Sequence, residues 1–191
     1  MRSKSRPTID IEEEEAKCMQ SYTKALSQLS SNESNPDALS NARETFEELL
    51  DTPFLKDEAY EKFSKAPKMF KHLIHKNLAH IYEKDGNYTD ALDCARRALE
   101  ADKSDGVLFF QAGKLALRQK DYPLAGFYLR KCIEIIPSHW DALNTLLETL
   151  FVLGEFDECE KVADKCLFYY PDGNKALALK SYLAKESHFP P

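Results

Sequence analysis

The feature that most constrains the fold of this chain is a sequence repeat of 34 residues. Three consecutive windows, 72–105, 106–139 and 140–173, align with one another without an insertion. A period of this size is the signature of repeat architectures, in which each unit buries its apolar face only by stacking on its neighbours. We therefore expect a stack of similar units, and any partner must be recognised by a surface of that stack.

The aligned windows share two positions that hold mostly small residues. In window order, these positions hold Ala79, Gly113 and Leu147, and then Ala91, Ala125 and Cys159. Small side chains are needed where two antiparallel helices approach each other most closely, because protein interiors are close-packed. We expect the two positions to face each other within each helix pair. Leu147 is the exception and is expected to push its pair slightly apart.

Other positions complete a helix–turn–helix unit. Leu78 lies on the apolar face of the first helix, and Ala98 holds a small position in the second. Pro137 and Pro171 stand where second helices must end, since proline cannot continue a helix, and Trp140 opens the third window. A unit of this length is typical of the tetratricopeptide repeat. The prediction is an all-α fold, a right-handed superhelix of antiparallel helix pairs with a C-terminal capping helix.

The rest of the chain is organised around these repeats as a single domain, 11–185. The prediction in chain order is a disordered N-terminus 1–10, an irregular helix pair 12–50, a connecting segment 51–71, the repeats 72–105, 106–139 and 140–173, a capping helix 174–185 and a disordered tail 186–191. The capping helix is followed by no second helix, which suits the end of a solenoid.

Composition argues against several classes of function. The formal charge is −6, from 26 basic and 32 acidic residues, so direct binding of nucleic acid or of anionic membranes is not expected. No apolar run is long enough to span a bilayer. The five cysteines form no CxxC pair, which favours reduced thiols packed within the repeats.

No residue pattern suggests catalysis or a cofactor. The sequence has no phosphate-binding loop, dinucleotide fingerprint, nucleophile elbow or HExxH zinc motif. His72 and His75 lie three residues apart, but no carboxylate or cysteine at a suitable spacing completes a metal site. The chain is therefore predicted to be a protein-binding module and not an enzyme, without a cofactor, a metal or a small-molecule substrate.

The first helix of each stacked pair lines the concave groove of such a superhelix. The residues predicted to face this groove and to contact a partner are Lys76, His80, Phe110, Lys114, Arg118, Asn144 and Glu148. Phe110 beside Lys114 and Arg118 would suit an aromatic and acidic segment, because aromatics and arginine dominate interface energies. The alternative is that Phe110, Leu117 and Phe151 form core between the repeats and that the charges are only solvated.

Tetratricopeptide adaptors that grip an EEVD-type C-terminus use a two-carboxylate clamp of lysine, asparagine and arginine side chains. The corresponding positions of this chain hold Lys76, His80, Gln111, Asp141 and Thr145. Asp141 would repel a terminal carboxylate where attraction is needed. A generic cytosolic adaptor or co-chaperone that binds a peptide in its concave groove is therefore the less favoured alternative.

Several short runs resemble one particular family of tetratricopeptide proteins. The KNLA run at 76–79, the GKLALR run at 113–118 and the P-x-HW-x-x-L junction at 137–143 are similar to the N-terminal repeat region of the calcineurin-binding protein Cabin, also called Cain. The fungal counterpart of that region is the tetratricopeptide subunit of the HIR complex. The resemblance runs from about Glu15 to Glu186.

This resemblance implies a non-catalytic scaffold in a nuclear histone-chaperone complex that assembles nucleosomes independently of replication. Its implied partners are WD-repeat histone-chaperone subunits or histones, and its implied location is the nucleus, with the cytoplasm as the alternative. The RSKSR run at 2–6 is a candidate import patch. Calcineurin binding is not implied, because the segment responsible lies far downstream in those much longer proteins. The chain is expected to be either a fragment or a short relative that retains only the N-terminal module.

Overall fold

A computed structural model describes residues 10–31 and 35–186, and within these residues it contains helices and no strand. In chain order the helices are α1 (Ile11–Ser31), α2 (Pro36–Leu50), α3 (Pro53–Lys56), α4 (Glu58–Glu61), α5 (Ala66–Lys84), α6 (Tyr88–Ala101), α7 (Gly106–Arg118), α8 (Tyr122–Ile135), α9 (Trp140–Leu153), α10 (Phe156–Tyr169) and α11 (Asn174–Glu186). The predicted all-α fold is confirmed.

The helices pack in chain order as helix–turn–helix pairs. The pairs are α1 with α2, α5 with α6, α7 with α8, and α9 with α10. The second helix of one pair also packs against the first helix of the next, at α6–α7 and at α8–α9, while α2 joins the irregular pair to α5. At the other end α11 covers α10 and α9. The structure thus confirms a tetratricopeptide stack with a C-terminal capping helix.

Side chains just before α6, α7, α8 and α9 mark where these four helices begin. Asn87, Asp105 and Asp121 each accept a hydrogen bond from the backbone N–H three residues later, at 3.3, 2.8 and 3.0 Å. His139 accepts the equivalent bond through Nδ1 at 3.2 Å. These bonds satisfy N–H groups that have no partner in the first turn of a helix. His139 in the HW junction therefore also sets the start of α9.

The turn inside each regular pair requires a left-handed backbone conformation. Gly86 has a φ of +74° and Gly154 a φ of +73°, which glycine adopts without steric penalty. Lys120 occupies the same window position in the second pair and has a φ of +61°. Because a side chain disfavours this conformation, the second pair contains a strained turn.

The two small-residue positions lie against each other in the second and third pairs. A Cβ atom added to Gly113 would lie 2.9 Å from Cγ of Leu129 and 3.5 Å from the carbonyl oxygen of Ala125. The Sγ atom of Cys159 lies 3.4 Å from the carbonyl oxygen of Leu147. The residues at these positions are all buried, as are Leu78 and Ala98. At these crossings the paired helices therefore come close enough for one helix to contact the backbone of the other.

The proline and tryptophan positions mark the junctions between pairs. Pro137 and Pro171 lie two residues beyond the ends of α8 and α10. Trp140 begins α9 and is 41% exposed, and its ring packs edge-on against Tyr170 with centroids 4.6 Å apart. The tryptophan thus links the start of the third pair to the end of that pair's second helix.

The boundary between the connecting segment and the first repeat differs from the predicted one. Helix α5 begins at Ala66, so the last six residues of the predicted segment 51–71 are already helical. Pro67 in the first turn favours this early start, and Ser64 Oγ accepts a hydrogen bond from the Ala66 N–H at 3.0 Å. The remainder holds α3 and α4, whose Phe54 and Leu55 are buried.

Some predictions concern residues that the structure does not describe. The candidate import patch at 2–6 lies outside the described residues. So do the termini predicted to be disordered, 1–10 and 186–191, apart from Asp10 and from Glu186, the last residue of α11.

Candidate protein-binding groove

In a stack of helix pairs, the first helices of successive pairs are expected to share one face. Helices α9 and α11 contact each other, and residues at their repeating window positions line one common pocket. Helices α5 and α7 carry the equivalent positions in the preceding windows. We refer to this face of α5, α7, α9 and α11 as the groove.

Lys76 is tied into the stack by an ion pair. Its Nζ atom lies 2.5 Å from Oδ2 of Asp105, the residue that caps α7, and Nε2 of His72 lies 3.3 Å from the same oxygen. Burial of Asp105 opposes ionisation, but the hydrogen bonds from Lys76 and from the Leu108 N–H outweigh it and lower the pKa of the carboxyl. The charge of Lys76 is thus neutralised between two repeats. His80, the other candidate on α5, is exposed.

The second window contributes two unpaired cations to the groove. The Lys114 Nζ atom lies over the Phe110 ring, 5.7 Å from its centroid, and the Arg118 guanidinium lies 5.9 Å from the centroid of Tyr88. Neither cation has a carboxylate within ion-pairing distance among residues 10–31 and 35–186. Phe110 is half-buried against His139, with ring centroids 4.7 Å apart. It therefore belongs both to the junction between repeats and to the groove surface.

In the third window the structure does not place Asn144 on the surface. The side chain is only 8% exposed, its Nδ2 donates to the Trp140 carbonyl at 2.9 Å, and its Oδ1 accepts no hydrogen bond within the described part of the chain. A buried amide cannot contact a partner unless α9 moves, so Asn144 is a packing residue. Glu148 is exposed, but Lys175 of α11 neutralises its charge.

The groove also holds an apolar pocket that sequence reasoning did not identify. The pocket measures about 330 Å³ and is lined by Leu147, Glu148, Phe151, Val152, Lys175, Leu179 and Tyr182. Val152 is 58% exposed and Tyr182 46%, and the Tyr182 ring lies edge-on to Phe151 with centroids 5.5 Å apart. The sequence did contain a signal for this pocket. Val152 occupies the window position that Arg118 has in the second repeat, and Tyr182 occupies that of Lys114.

A larger cleft of about 510 Å³ lies between the second helices α6 and α8. Phe127 at its rim is 50% exposed. The rim carries both signs of charge, and Lys131 there forms an ion pair with Glu134 at 2.6 Å. Because neither sign of charge dominates, this cleft offers less charge selectivity toward a partner than the groove does.

Burial holds three cysteine thiols and the half-buried His75 in their neutral forms. Burial raises the pKa of the Cys18 thiol to about 12 and of the Cys94 and Cys132 thiols to about 11. Burial, reinforced by the nearby charge of Arg97, lowers the pKa of His75 to about 4.

Residues 10–31 and 35–186 contain no group of three potential ligands that could hold a metal ion. None of the described helices combines the length and apolarity needed to cross a membrane.

The residues at the two-carboxylate clamp positions do not suit a terminal carboxylate, by their type in the sequence or by their contacts in the structure. Lys76 is already committed to Asp105, and Asp141 presents an exposed carboxylate at a position where the clamp needs a cation. A terminal carboxylate would therefore meet repulsion at one end of the site and a neutralised lysine at the other.

Comparison with known proteins identifies relatives along nearly the whole chain. The family model of the CABIN1 N-terminal domain matches residues 15–188. Calcineurin-binding protein 1 of Arabidopsis thaliana is 27% identical over 143 residues, which cover 73% of this chain and 8% of that protein. The chain thus spans less than a tenth of the length of this curated relative.

Solved structures share the fold at lower sequence identity. MamA (AMB-1) superposes with a TM-score of 0.64 at 18% identity, over 90% of this chain and 83% of that one. The first tetratricopeptide domain of Spaghetti (RPAP3), bound to the HSP90 peptide SRMEEVD, superposes with a TM-score of 0.52 at 24% identity, over 60% of this chain and 94% of that one. Both establish the tetratricopeptide fold alone.

Proposed function

The chain belongs to the family of the CABIN1 N-terminal domain, and we propose that it acts as a scaffold subunit of a HIR-type complex that deposits histones independently of replication. The observation that carries this proposal is the family match over 15–188, which extends from α1 into the residues after α11. The partners would be WD-repeat histone-chaperone subunits or histones, and the location would be the nucleus.

The electrostatics of the groove favour one of these partners over the other. Lys114 and Arg118 are unpaired there, whereas the carboxylates of Asp105 and Glu148 are neutralised by lysines. Beside Lys114 and Arg118 a basic histone segment would meet like charge, while an acidic or apolar segment of a chaperone subunit that stays clear of the exposed carboxylate of Asp141 would not. We therefore propose that the groove holds a chaperone subunit.

Affinity purification from nuclear extract tests the proposal. The tagged chain is expected to recover WD-repeat histone-chaperone subunits, as measured by quantitative mass spectrometry, and imaging is expected to locate it in the nucleus. An interactome without a chromatin component would refute the HIR-type assignment.

A charge-reversal variant connects this recovery to the groove. Lys114→Glu/Arg118→Glu reverses both unpaired cations and should lower chaperone recovery at least tenfold. Lys62→Glu/Lys65→Glu makes the same change in net charge at exposed residues between α4 and α5, outside the groove. Equal recovery by the two variants would show that the groove is not the contact surface.

A further inference from the structure

The groove changes character along the stack, from positive to apolar. Lys114 and Arg118 on α7 lie over aromatic rings and have no carboxylate beside them in the described part of the chain. In the next two first helices, Val152 of α9 and Tyr182 of α11 line the apolar pocket. Glu148 at the edge of that pocket is neutralised by Lys175, so the pocket adds no net charge.

We propose that the groove binds an extended, internal segment of a partner protein that carries an acidic residue against Lys114 and Arg118 and an aliphatic or aromatic side chain in the pocket between α9 and α11. The inference rests on the proposed scaffold function and specifies the chemistry of the segment that the scaffold holds. The segment is internal because the clamp positions for a terminal carboxylate are unfavourable.

Helix spacing sets the distance between the two recognition elements of the ligand. The axes of packed helices are about 8–10 Å apart. Helices α9 and α11 are in contact, and we take the same spacing for α7 and α9, so the centre of the pocket is expected roughly one and a half spacings from α7, on the order of 15 Å. An extended chain covers about 3.3–3.6 Å per residue. The acidic and apolar residues are therefore expected roughly four residues apart.

The two elements should respond differently to salt. The contact with Lys114 and Arg118 is electrostatic and solvent-exposed, so added salt weakens it. Filling the apolar pocket removes surface from water, and salt does not screen that contribution. A ligand without its acidic residue should therefore bind more weakly and with little salt dependence, whereas a ligand without its apolar residue should keep the dependence.

Selection from a random peptide library tests the ligand chemistry. A library of twelve-residue peptides displayed on phage is selected against the full chain, and enriched peptides are synthesised with amidated C-termini and measured by fluorescence anisotropy. We expect a consensus of Asp or Glu and, roughly four residues away, Leu, Phe or Trp. A basic consensus, or no enrichment above a Gly/Ser control peptide, would overturn the proposal.

Two groove variants and one matched control test the location. Val152→Asp places a carboxylate in the pocket at a half-exposed position, and we expect at least tenfold weaker binding of the selected peptide. Lys114→Glu/Arg118→Glu should weaken binding by a similar factor and reverse the salt dependence, because added salt then screens a repulsion. Phe168→Asp makes a comparable change at a residue of α10 that is 78% exposed and should leave binding unchanged. Circular dichroism confirms that each variant is folded. If the Val152→Asp variant binds the peptide like wild type, the pocket is not the site.

Photo-crosslinking gives a readout that does not depend on variants. With benzoylphenylalanine at the apolar position of the peptide, crosslinks should map to α9 and α11. Crosslinks to α6 and α8 would assign binding to the larger cleft and overturn the proposal. The two proposals fail separately: peptide binding without chromatin partners refutes the HIR-type assignment only, and chromatin partners without a peptide consensus refute the ligand chemistry only.

Discussion

Ala125 lies where α7 and α8 approach most closely, and replacing it with leucine tests the helix register. The side chain is completely buried, and its carbonyl oxygen lies 3.5 Å from the place where a Cβ on Gly113 would be. Leu129 already occupies the adjacent space, with its Cγ 2.9 Å from that same place. Overpacking a filled core costs about 1–3 kcal/mol. Because Ala125 is completely buried at this close approach, we expect a loss of about 2 kcal/mol.

Chemical and thermal denaturation followed by circular dichroism measure this loss. For a chain of this length, about 2 kcal/mol corresponds to a fall in Tm of roughly 4–8 °C. Ala178→Leu on α11 is the matched control, because Ala178 is exposed and substitutions at such positions change stability by only about 0.5 kcal/mol. An unchanged midpoint for Ala125→Leu, or an equal loss in both variants, would refute the register and the proposed crossing.

Three further predictions follow from the turns, the ion pairs and the groove. Lys120→Gly should stabilise the chain by about 1 kcal/mol in urea denaturation, because it removes a left-handed lysine; destabilisation would contradict the strain assigned to this turn. Asp105→Asn keeps an N-cap but removes the ion pair to Lys76. Because the folded-state pKa of Asp105 is lowered from 3.8, its stabilisation is present above that value and is lost as pH falls through the folded pKa. The variant should therefore lose less free energy of unfolding than wild type between about pH 5 and pH 2, and parallel pH profiles would contradict this role. Calorimetric titration with an EEVD peptide should show no micromolar binding, and such binding would refute the reasoning from Asp141.

The fold was predictable because it depends on residues that repeat in sequence. The 34-residue period places every regular helix pair, and the structure confirms an all-α tetratricopeptide stack with a capping helix. The start of α5 was less predictable, because Ser64 and Pro67 extend the helix upstream of the repeat window. Local residues such as these set the start of a helix, and the repeat period by itself does not reveal them.

The groove was less predictable because side-chain availability depends on contacts between repeats. Lys76 has the right window position for a partner contact, yet Asp105 of the next pair neutralises it. Asn144 also has a groove-facing position, but it is buried. The apolar pocket requires α9 and α11 to lie side by side, so Val152 and Tyr182 become neighbours only after the stack has formed. The position of a residue in the repeat window predicts which face of its helix it lies on. Whether its charge is paired and whether its side chain is buried depend on the assembled stack.

Site-specific photo-crosslinking in nuclear extract tests most directly the central claim that this scaffold binds its partners through the groove. A photoreactive residue is placed at His80, which is exposed on α5, or at Phe127, which is half-exposed beside the cleft between α6 and α8. We predict partner crosslinks from position 80 and none above background from position 127. Crosslinks from position 127 alone would contradict the account and transfer the binding surface to the second helices.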